Sequence, residues 1–378
     1  MDLILFKFLY FLLFFGLSSI AGMLIPFLQY KGFSPIETAT LISFYTVSGI
    51  LGQLIAGCCC DKLKTIKKIF IFSLLGVMFS TALAIFINIK ILFYISFVIM
   101  GFFYYILTSI PDSWVIESGE NAKSKFGFFR AFGSTGWAFG VLASGIITEK
   151  YGYHILNIIY LIMLSLTLFI SLKIKDTVKE YKGCGNLKEL FNNKEYILTV
   201  IILLIICIPF RGYCQLVPYR IEYVGGNTVN LGIFNFISSI SEIAMLILAQ
   251  KIMHKLSPDK LLLLSPLGLF LQILILRFGS NINIIYISAV LQAFTLPIIL
   301  VVGKIIIDRI SPSNLKTSSQ LVAFAIFNSV STIIGTASVG YFIEKFSLDK
   351  ANLFLLGCNM LSILGALYYD RNIKDRTI

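Results

Sequence analysis

Long apolar runs separated by short polar breaks extend from one end of this chain to the other. Each run offers roughly the 20 residues that an α-helix needs to cross about 30 Å of hydrocarbon. The pattern therefore predicts twelve membrane-spanning helices, which we number as spans 1 to 12. The first run, from about Leu5 to Leu28, is too long for the apolar core of a signal peptide, so we expect it to be retained as span 1. The breaks lie at 30–35, 61–68, 88–90, 117–125, 149–152, 173–194, 222–230, 251–259, 279–283, 311–316 and 345–350.

The composition of the 378 residues leaves few other classes of protein open. Hydrophobic residues make up 57% of the chain and charged residues 13%, about half the charged fraction of a soluble protein. A soluble surface cannot accommodate so many apolar side chains. These numbers exclude a soluble enzyme, a disordered chain and a secreted disulfide scaffold, and they predict an all-α integral membrane protein.

The distribution of charge predicts the orientation of the spans. The net charge is +12, but the basic residues form short clusters between apolar runs, which argues against nucleic acid as a partner. Of the 31 Lys and Arg residues, 21 lie at the N-terminus, the even-numbered breaks and the C-terminal tail, and seven lie at the odd-numbered breaks. By the positive-inside rule, we expect both termini in the cytoplasm and the protein in the cytoplasmic (inner) membrane.

The longest break divides the chain into two six-helix halves. We predict an N-terminal half at 1–173, a cytoplasmic linker at 174–193 and a C-terminal half at 194–378. Two similar lysine-containing segments, 61–67 after span 2 and 254–260 after span 8, form a weak internal repeat. Many secondary carriers consist of two such repeats with the solute site near the bilayer midplane. The chain lacks the phosphate-binding loop G-x-x-x-x-G-K-[ST], so we expect no direct use of ATP.

Two charged residues interrupt spans 4 and 5. Asp112 lies in span 4 and Arg130 in span 5, each five or six residues away from the turn that joins these spans. The two residues therefore lie at similar depth on neighbouring helices. A charge at such a depth needs a partner or a water-filled cavity, so we expect an ion pair that also contacts the solute. The alternative is a pair that only fastens span 4 to span 5. Trp137, two turns beyond Arg130, would offer a flat apolar face to a ligand, or would simply pack.

Residues 126–137, FGFFRAFGSTGW, together with the acid eighteen residues before Arg130, resemble the lactose permease group of the major facilitator superfamily. Nucleoside and phenylpropionate permeases share this motif. The resemblance implies the twelve-helix fold of that superfamily. It also implies that Asp112 and Arg130 hold a sugar on whose ring Trp137 stacks.

The superfamily also has a signature after span 2, which this chain matches imperfectly because Lys64 stands where glycine is usual. The resemblance implies that this loop gates the cytoplasmic side, although its lysines would equally serve topology alone. The candidate gating residues are Gly57, Asp61, Lys62, Lys67 and Lys68.

The second half departs from that group. Glu242 on span 8 matches its sugar-contacting glutamate, whereas Gln292, Thr295 and Gln272 replace the histidine, glutamate and arginine of spans 9 and 10. None of these replacements titrates near neutral pH. We expect neutral hydrogen-bonding walls formed by Gln272, Gln292, Asn328 and Gln215.

Any transported proton would then need another carboxyl group. Glu242, Asp112 and Asp308 are the candidates. Arg211 on span 7 has no partner evident in the sequence, so it would either approach Glu242 or bind an anionic solute. We expect Arg220 and His154, which lie at breaks, to be solvated.

These residues predict a carrier that moves a small polar organic solute by alternating access. The carrier would be either facilitative or a symporter coupled to protons. Sugar or oligosaccharide is the first choice of solute, nucleoside the second and a small aromatic acid the third. The alternatives are a membrane enzyme, for which two histidines at breaks provide no catalytic set, and a sensor that has lost transport. The seven cysteines form no metal or disulfide framework. We expect the protein to need no cofactor. We also expect it to be a monomer whose spans are surrounded by membrane lipid.

Overall fold

A computed structural model describes residues 2–86, 89–177, 188–253, 258–312 and 315–373. These residues fold into helices joined by short turns, and none of them lies in a β-strand. The helices are α1 (Asp2–Ala21), α2 (Leu24–Tyr30), α3 (Pro35–Leu63), α4 (Lys67–Phe86), α5 (Lys90–Glu117), α6 (Glu120–Ser124), α7 (Phe126–Lys173), α8 (Lys188–Asn192), α9 (Lys194–Tyr223), α10 (Thr228–Met253), α11 (Pro258–Phe278), α12 (Ile282–Val290), α13 (Leu296–Ile310), α14 (Lys316–Ala325), α15 (Ser331–Lys345) and α16 (Leu348–Ile373).

These helices account for the twelve predicted spans. Eleven stretches of the described helices are long and apolar enough to cross a membrane. One of them, α7, has 48 residues and contains Gly152 with φ +77° and ψ 174°, a backbone conformation that ends one helix and starts the next. Spans 5 and 6 are therefore the parts of α7 before and after Gly152. The predicted all-α membrane fold is confirmed.

The chain forms two compact units. Unit 1 contains residues 1–32, 41–182 and 227–236, and unit 2 contains 33–40, 183–226 and 237–378. Each unit therefore includes a short helix start from the other part of the sequence. Half of the predicted linker, residues 178–187, lies outside the described residues.

Carboxylates hold these two helix starts in place. In unit 1, Glu149 accepts a hydrogen bond of 2.8 Å from the hydroxyl of Thr228, at the beginning of α10. In unit 2, Glu344 accepts one of 3.0 Å from the backbone N–H of Ile36, in the first turn of α3. The first turn of a helix has N–H groups without a partner in the helix and a partial positive charge. A carboxylate accepts hydrogen bonds from these N–H groups and is attracted by this charge.

Close packing of α1 against α7 organises unit 1. A β-carbon on Gly136 would clash with the carbonyl oxygen of Phe11, and one on Gly140 would clash with Phe15 and Ser18. Glycine at both positions lets the two backbones approach, as small residues do in membrane helix pairs. This contact places the beginning of α7, which carries Arg130, beside the middle of α1.

Candidate functional site

In unit 1, the half-buried carboxylate of Asp112 is held by a side chain from α1. The hydroxyl of Tyr10 donates a hydrogen bond of 2.7 Å to Asp112 Oδ1. Tyr10 is 0% exposed, so its hydroxyl is shielded from water on the donor side of this bond. Pro111 precedes Asp112 inside α5 and cannot donate a backbone hydrogen bond there.

Arg130 reaches the same part of α1. Its guanidinium carbon lies 4.5 Å from the centre of the Phe14 ring, within the range of a cation–π interaction. Phe14 in turn stacks on Tyr10, with ring centres 5.9 Å apart and planes at 12°. A β-carbon on Gly133 would lie 3.0–3.1 Å from the side chains of Phe14, Tyr10 and Arg130, so all three surround one point.

We call Tyr10, Phe14, Asp112 and Arg130 the α1 cluster. The structure thus brings the predicted acid and arginine to one turn of α1, where the charges of both act on the Tyr10 hydroxyl. The sequence analysis missed Tyr10 and Phe14. Their spacing of four residues places them on one helix face, but 34 Phe and 18 Tyr in the chain hide that signal.

The two tryptophans have different surroundings. Trp137 lies seven residues after Arg130 on α7 and is half-buried. Trp114 is 0% exposed, packs edge-on against Phe6 with ring centres 5.8 Å apart, and donates a hydrogen bond of 3.0 Å to the carbonyl oxygen of Lys175. Trp114 therefore stabilises the packing of unit 1, and Trp137 is the tryptophan that remains a candidate for solute contact.

In unit 2, two spans lose their regular α-helical geometry at predicted site residues. Span 10 contains a 3₁₀ turn at Leu291–Phe294, between α12 and α13, which includes Gln292. Span 11 contains a π-helical turn at Ile326–Val330, between α14 and α15, which includes Asn328. Such irregular turns free backbone groups and re-aim side chains, and in membrane proteins they occur where a cavity or a binding site needs them.

Three predicted residues form one chain of hydrogen bonds, which we call the amide chain. Gln272 Nε2 on α11 donates to Gln292 Oε1 over 3.0 Å, and Gln292 Nε2 donates to Glu242 Oε1 on α10, also over 3.0 Å. The same nitrogen of Gln272 lies 2.7 Å from the carbonyl oxygen of Ser288. Gln272 is 0% exposed, whereas Glu242 is half-buried at the other end of the chain. The amide chain therefore fixes the orientation of the Glu242 carboxylate from the core outward.

Arg211 lies close to this chain on α9. Its guanidinium donates a hydrogen bond to Asn328 Oδ1 in the π-helical turn, and its charge acts on Glu242. Arg211 therefore acts on Glu242 through its charge, while its hydrogen bond is made to Asn328. One turn further along α9, Gln215 is 1% exposed, and both polar atoms of its amide lack a partner within the described part of the chain. The amide of Gln215 thus retains its full capacity to bind a polar group or a water molecule.

Asp308, the third candidate for proton transfer, has a separate environment on α13. It is half-buried, and Gln320 Nε2 lies 3.4 Å from its Oδ1.

One candidate gating residue, Lys67, lies at a junction between the start of α4 and the end of α7. Lys67 Nζ donates to the carbonyl oxygens of Leu172 and Ile174 over 2.6 and 2.7 Å, which caps the C-terminus of α7. The cap is reciprocal, because Asp176 accepts a hydrogen bond of 2.9 Å from the backbone N–H of Lys67 and one of 2.5 Å from the Thr65 hydroxyl. Lys67 thus has a defined structural role within unit 1.

The pKa of Asp176 reflects these contacts. Burial raises the pKa of the Asp176 carboxyl, but hydrogen bonds from the Thr65 hydroxyl and from the backbone N–H groups of Lys67, Thr177 and Ile66 outweigh it. The pKa is therefore lower than its ordinary value.

The other gating candidates make fewer contacts. Lys62 and Lys68 are exposed, and a β-carbon on Gly57 would have no atom within 4 Å. The side chain of Asp61 lies outside the described residues.

One expectation about charged residues is wrong. Arg220 is not solvated: it is 7% exposed and donates a hydrogen bond of 2.8 Å to the carbonyl oxygen of Arg277. It also lies 3.7 Å from Asp349, so it joins α9 to the neighbouring ends of α11 and α16. Position at a break does not predict exposure when neighbouring helix ends cover the side chain. His154 is exposed, as expected.

In the part of the chain that the structure describes, no group of three or more His, Cys, Asp or Glu side chains could hold a metal ion. Inside the spans, the candidates for solute contact are the α1 cluster, the amide chain, and Arg211 with its neighbours.

A model of the MFS_1 like family matches residues 3–354 of this sequence. The chain belongs to this family. Its fold is also that of solved transporters of the major facilitator superfamily. A variant of the nucleoside transporter NupG has a TM-score of 0.88 at 13% identity, over 98% of this chain and 100% of NupG. A POT family transporter, solved with 5-aminolevulinic acid, has a TM-score of 0.78 at 13% identity, over 98% of this chain and 96% of that one.

Two relatives are similar in sequence. The uncharacterized transporter YwbF of Bacillus subtilis (strain 168) is 24% identical over 278 residues, which is 71% of this chain and 69% of YwbF. The maltose permease of Geobacillus stearothermophilus is 19% identical over 385 aligned residues, which cover 98% of this chain and 95% of the permease. This family member is therefore a multi-pass membrane transporter of the major facilitator type that moves a small-molecule solute, and it is not an enzyme.

Proposed function

We propose that this transporter moves a polyhydroxylated solute, with a sugar or oligosaccharide as the first choice, by alternating access. The observation that carries the proposal is that each unit contains a polar cluster inside apolar spans. A charge in mid-span costs about 2.5–3.5 kcal/mol, so Asp112, Arg130, Arg211 and Glu242 need a function that offsets this cost. Solute binding in a wet cavity is such a function.

The α1 cluster has the chemistry to hold adjacent hydroxyl groups. The Asp112 carboxylate is a hydrogen-bond acceptor, as its contact with Tyr10 shows, while the Arg130 guanidinium offers several N–H donors in one plane. Trp137 would stack on the apolar face of a sugar ring.

The amide chain and Gln215 favour nucleoside as the second candidate. An amide presents a donor and an acceptor side by side, which matches the edge of a heterocyclic base. In the described residues, Gln272 Oε1 and both polar atoms of Gln215 are buried without a partner. A small aromatic acid is the third choice, because Arg211 would attract a carboxylate whereas Asp112 and Glu242 would repel it.

The similarity to maltose permease, which extends over nearly the whole chain, supports sugar as the first choice. The likeness to NupG is one of fold alone, at 13% identity. We further propose proton coupling through Glu242, with Asp112 and Asp308 as the alternative candidates. We also propose that the protein is a monomer in the cytoplasmic membrane with both termini in the cytoplasm. The loop after span 2, which contains Lys62, Lys67 and Lys68, would gate its cytoplasmic side.

Counterflow in proteoliposomes tests the choice of solute. Proteoliposomes that contain the wild-type protein are loaded in turn with maltose, uridine and 3-phenylpropionate, and exchange for the same labelled solute outside is measured. We expect exchange of maltose, and uridine alone would favour the second candidate. Asp112→Asn and Arg130→Gln should each reduce exchange of the transported solute more than tenfold.

Matched controls make the same chemical changes outside the proposed site. Asp349→Asn and Arg277→Gln alter residues that contact the Arg220 junction, so exchange should stay within about twofold of wild type. Wild-type rates in both Asp112→Asn and Arg130→Gln would contradict the site. Binding of a solute without exchange would favour the sensor that has lost transport.

A further inference from the structure

A pocket in unit 1 combines positive charge with an apolar wall. It lies where α1 and α7 begin and has a volume of about 430 Å³. Its lining residues are Leu3, Ile4, Lys7, Lys125, Phe128 and Phe129, which we call the lysine pocket. Neither the α1 cluster nor the amide chain includes any of them.

The two lysines lie at one boundary of the apolar spans. The apolar part of α1 begins at Leu3, so Lys7 is about 6 Å along the helix from that boundary. Lys125 directly precedes α7. Lys7 Nζ lies 4.9 Å from the centre of the Phe128 ring. Among the residues that the structure describes, no carboxylate pairs with Lys7 or Lys125.

The wall of the pocket presents hydrocarbon to the surroundings. Phe128 is 53% exposed and Ile4 is 58% exposed. Lysine at a membrane boundary lays its stem on apolar surface and keeps its ammonium near the headgroups. A ligand that satisfies both parts of the pocket carries an anion at one end and hydrocarbon at the other.

We propose that the lysine pocket binds an anionic phospholipid. The phosphate would lie between the ammonium groups of Lys7 and Lys125, and an acyl chain would cover Ile4 and Phe128. Basic pockets between membrane helices bind anionic headgroups in this way. A free phosphate would leave the apolar wall uncovered, and a zwitterionic lipid offers the two ammonium groups no net charge.

Native mass spectrometry of the purified full chain tests this proposal. The protein is held in micelles with equal amounts of dioleoylphosphatidylglycerol and dioleoylphosphatidylcholine, and the two lipid adducts are compared. We expect wild type to retain the glycerol lipid in preference. Each lysine contributes about 1 kcal/mol to the attraction of an anionic lipid, which corresponds to about a fivefold change in affinity. Each single change to Gln should therefore reduce the preference about fivefold, and Lys7→Gln with Lys125→Gln about 25-fold.

The control is Lys31→Gln with Lys90→Gln. It removes the same charge, and Lys31 likewise lies over a phenylalanine ring, 6.0 Å from the centre of Phe27. This control should keep the wild-type preference. If the double variant does not fold, the two single variants decide.

Three results would overturn the proposal. Wild type could retain both lipids equally, or the lysine variants could retain the glycerol lipid as wild type does. Displacement of the lipid by glycerol 3-phosphate would show a site for free anions, such as an entry route for an acidic solute.

Discussion

Tyr10 donates a hydrogen bond of 2.7 Å to Asp112, and its ring stacks on Phe14, whose other neighbour is the guanidinium of Arg130. One face of α1 thus orients the charged side chains of Asp112 and Arg130. A phenol in this position supplies a fixed donor that sets the orientation of the carboxylate. Tyr10 is therefore a positioning residue for the proposed binding site.

Replacing Tyr10 with phenylalanine removes the donor and keeps the ring on Phe14. A hydrogen bond to a charged group contributes about 1.5–3 kcal/mol, so we expect the KM for the transported solute to rise about tenfold. The maximal rate should change less, because Asp112 and Arg130 remain. Initial rates of uptake over a range of solute concentrations measure both quantities.

Tyr196→Phe is the matched control. Tyr196 is equally buried and donates a hydrogen bond of the same length, 2.7 Å, to the carbonyl oxygen of Ser319 in unit 2. Its loss should lower the thermal unfolding midpoint without changing KM. An unchanged KM in Tyr10→Phe would mean that the hydrogen bond to Asp112 is only a structural fastening.

Glycine at 136 sets the distance between α1 and α7. We expect Gly136→Ala to lower the thermal unfolding midpoint in detergent by the equivalent of about 1–3 kcal/mol, because the new methyl group meets the backbone of Phe11 and not a flexible side chain. Gly127→Ala is the control on the same helix. No atom lies within 4 Å of its new β-carbon, and alanine favours the helix, so its midpoint should be unchanged or higher. Equal midpoints for the two variants would contradict this packing.

Much of this architecture could be predicted from the sequence, because the bilayer imposes a simple rule on the chain. Long apolar runs and the rarity of charge inside them predicted the spans, and the same rarity singled out Asp112 and Arg130. Glu242 was predicted from the resemblance to the lactose permease group. Gln272 and Gln292 were predicted individually. Their connection to Glu242 follows from the packing of α10, α11 and the 3₁₀ turn, which no local pattern encodes.

Other features could not be predicted for identifiable reasons. Tyr10 and Phe14 lie in a span so rich in aromatic residues that no single ring stands out. The π-helical turn at Ile326–Val330 contains neither proline nor glycine, so the sequence offers no signal for it. Arg220 lies at a predicted break, and only the tertiary packing of α9, α11 and α16 shows that it is buried.

The amide chain leads to a prediction about coupling. Glu242→Gln keeps the side-chain volume and an acceptor for Gln292, but it cannot carry a proton. We expect accumulation driven by a pH gradient to disappear in this variant, whereas counterflow, which needs no net proton movement, persists. Asp308→Asn is the comparison, and it should retain accumulation. Accumulation by Glu242→Gln would exclude Glu242 as the proton carrier and leave Asp112 and Asp308 as candidates.

The Asp176 junction gives the protein a pH-dependent contribution to stability. Because hydrogen bonds to the carboxylate hold the pKa of Asp176 below its ordinary value of 3.8, the folded state binds the proton less readily than the unfolded state. The carboxylate therefore stabilises the fold fully at pH values above 3.8, and this contribution is lost as the pH falls through the lowered pKa of the folded state. Asp176→Asn should consequently unfold at a lower temperature than wild type at neutral pH, with the difference shrinking below about pH 4.

Thr65→Val sharpens this test, because it removes one donor to the carboxylate and keeps the side-chain volume. We expect the pKa of Asp176 to move back toward its ordinary value, so that the loss of stability begins at a higher pH than in wild type. Thr81→Val is the control on the same helix, since the hydroxyl of Thr81 bonds to the carbonyl oxygen of Val77 and interacts with Tyr160, but not with Asp176. Thermal unfolding followed by tryptophan fluorescence between about pH 3 and 7 measures each difference, since buried Trp114 bonds to Lys175 beside the junction. A difference between Asp176→Asn and wild type that is the same at every pH would show that the carboxylate acts through packing and not through its charge.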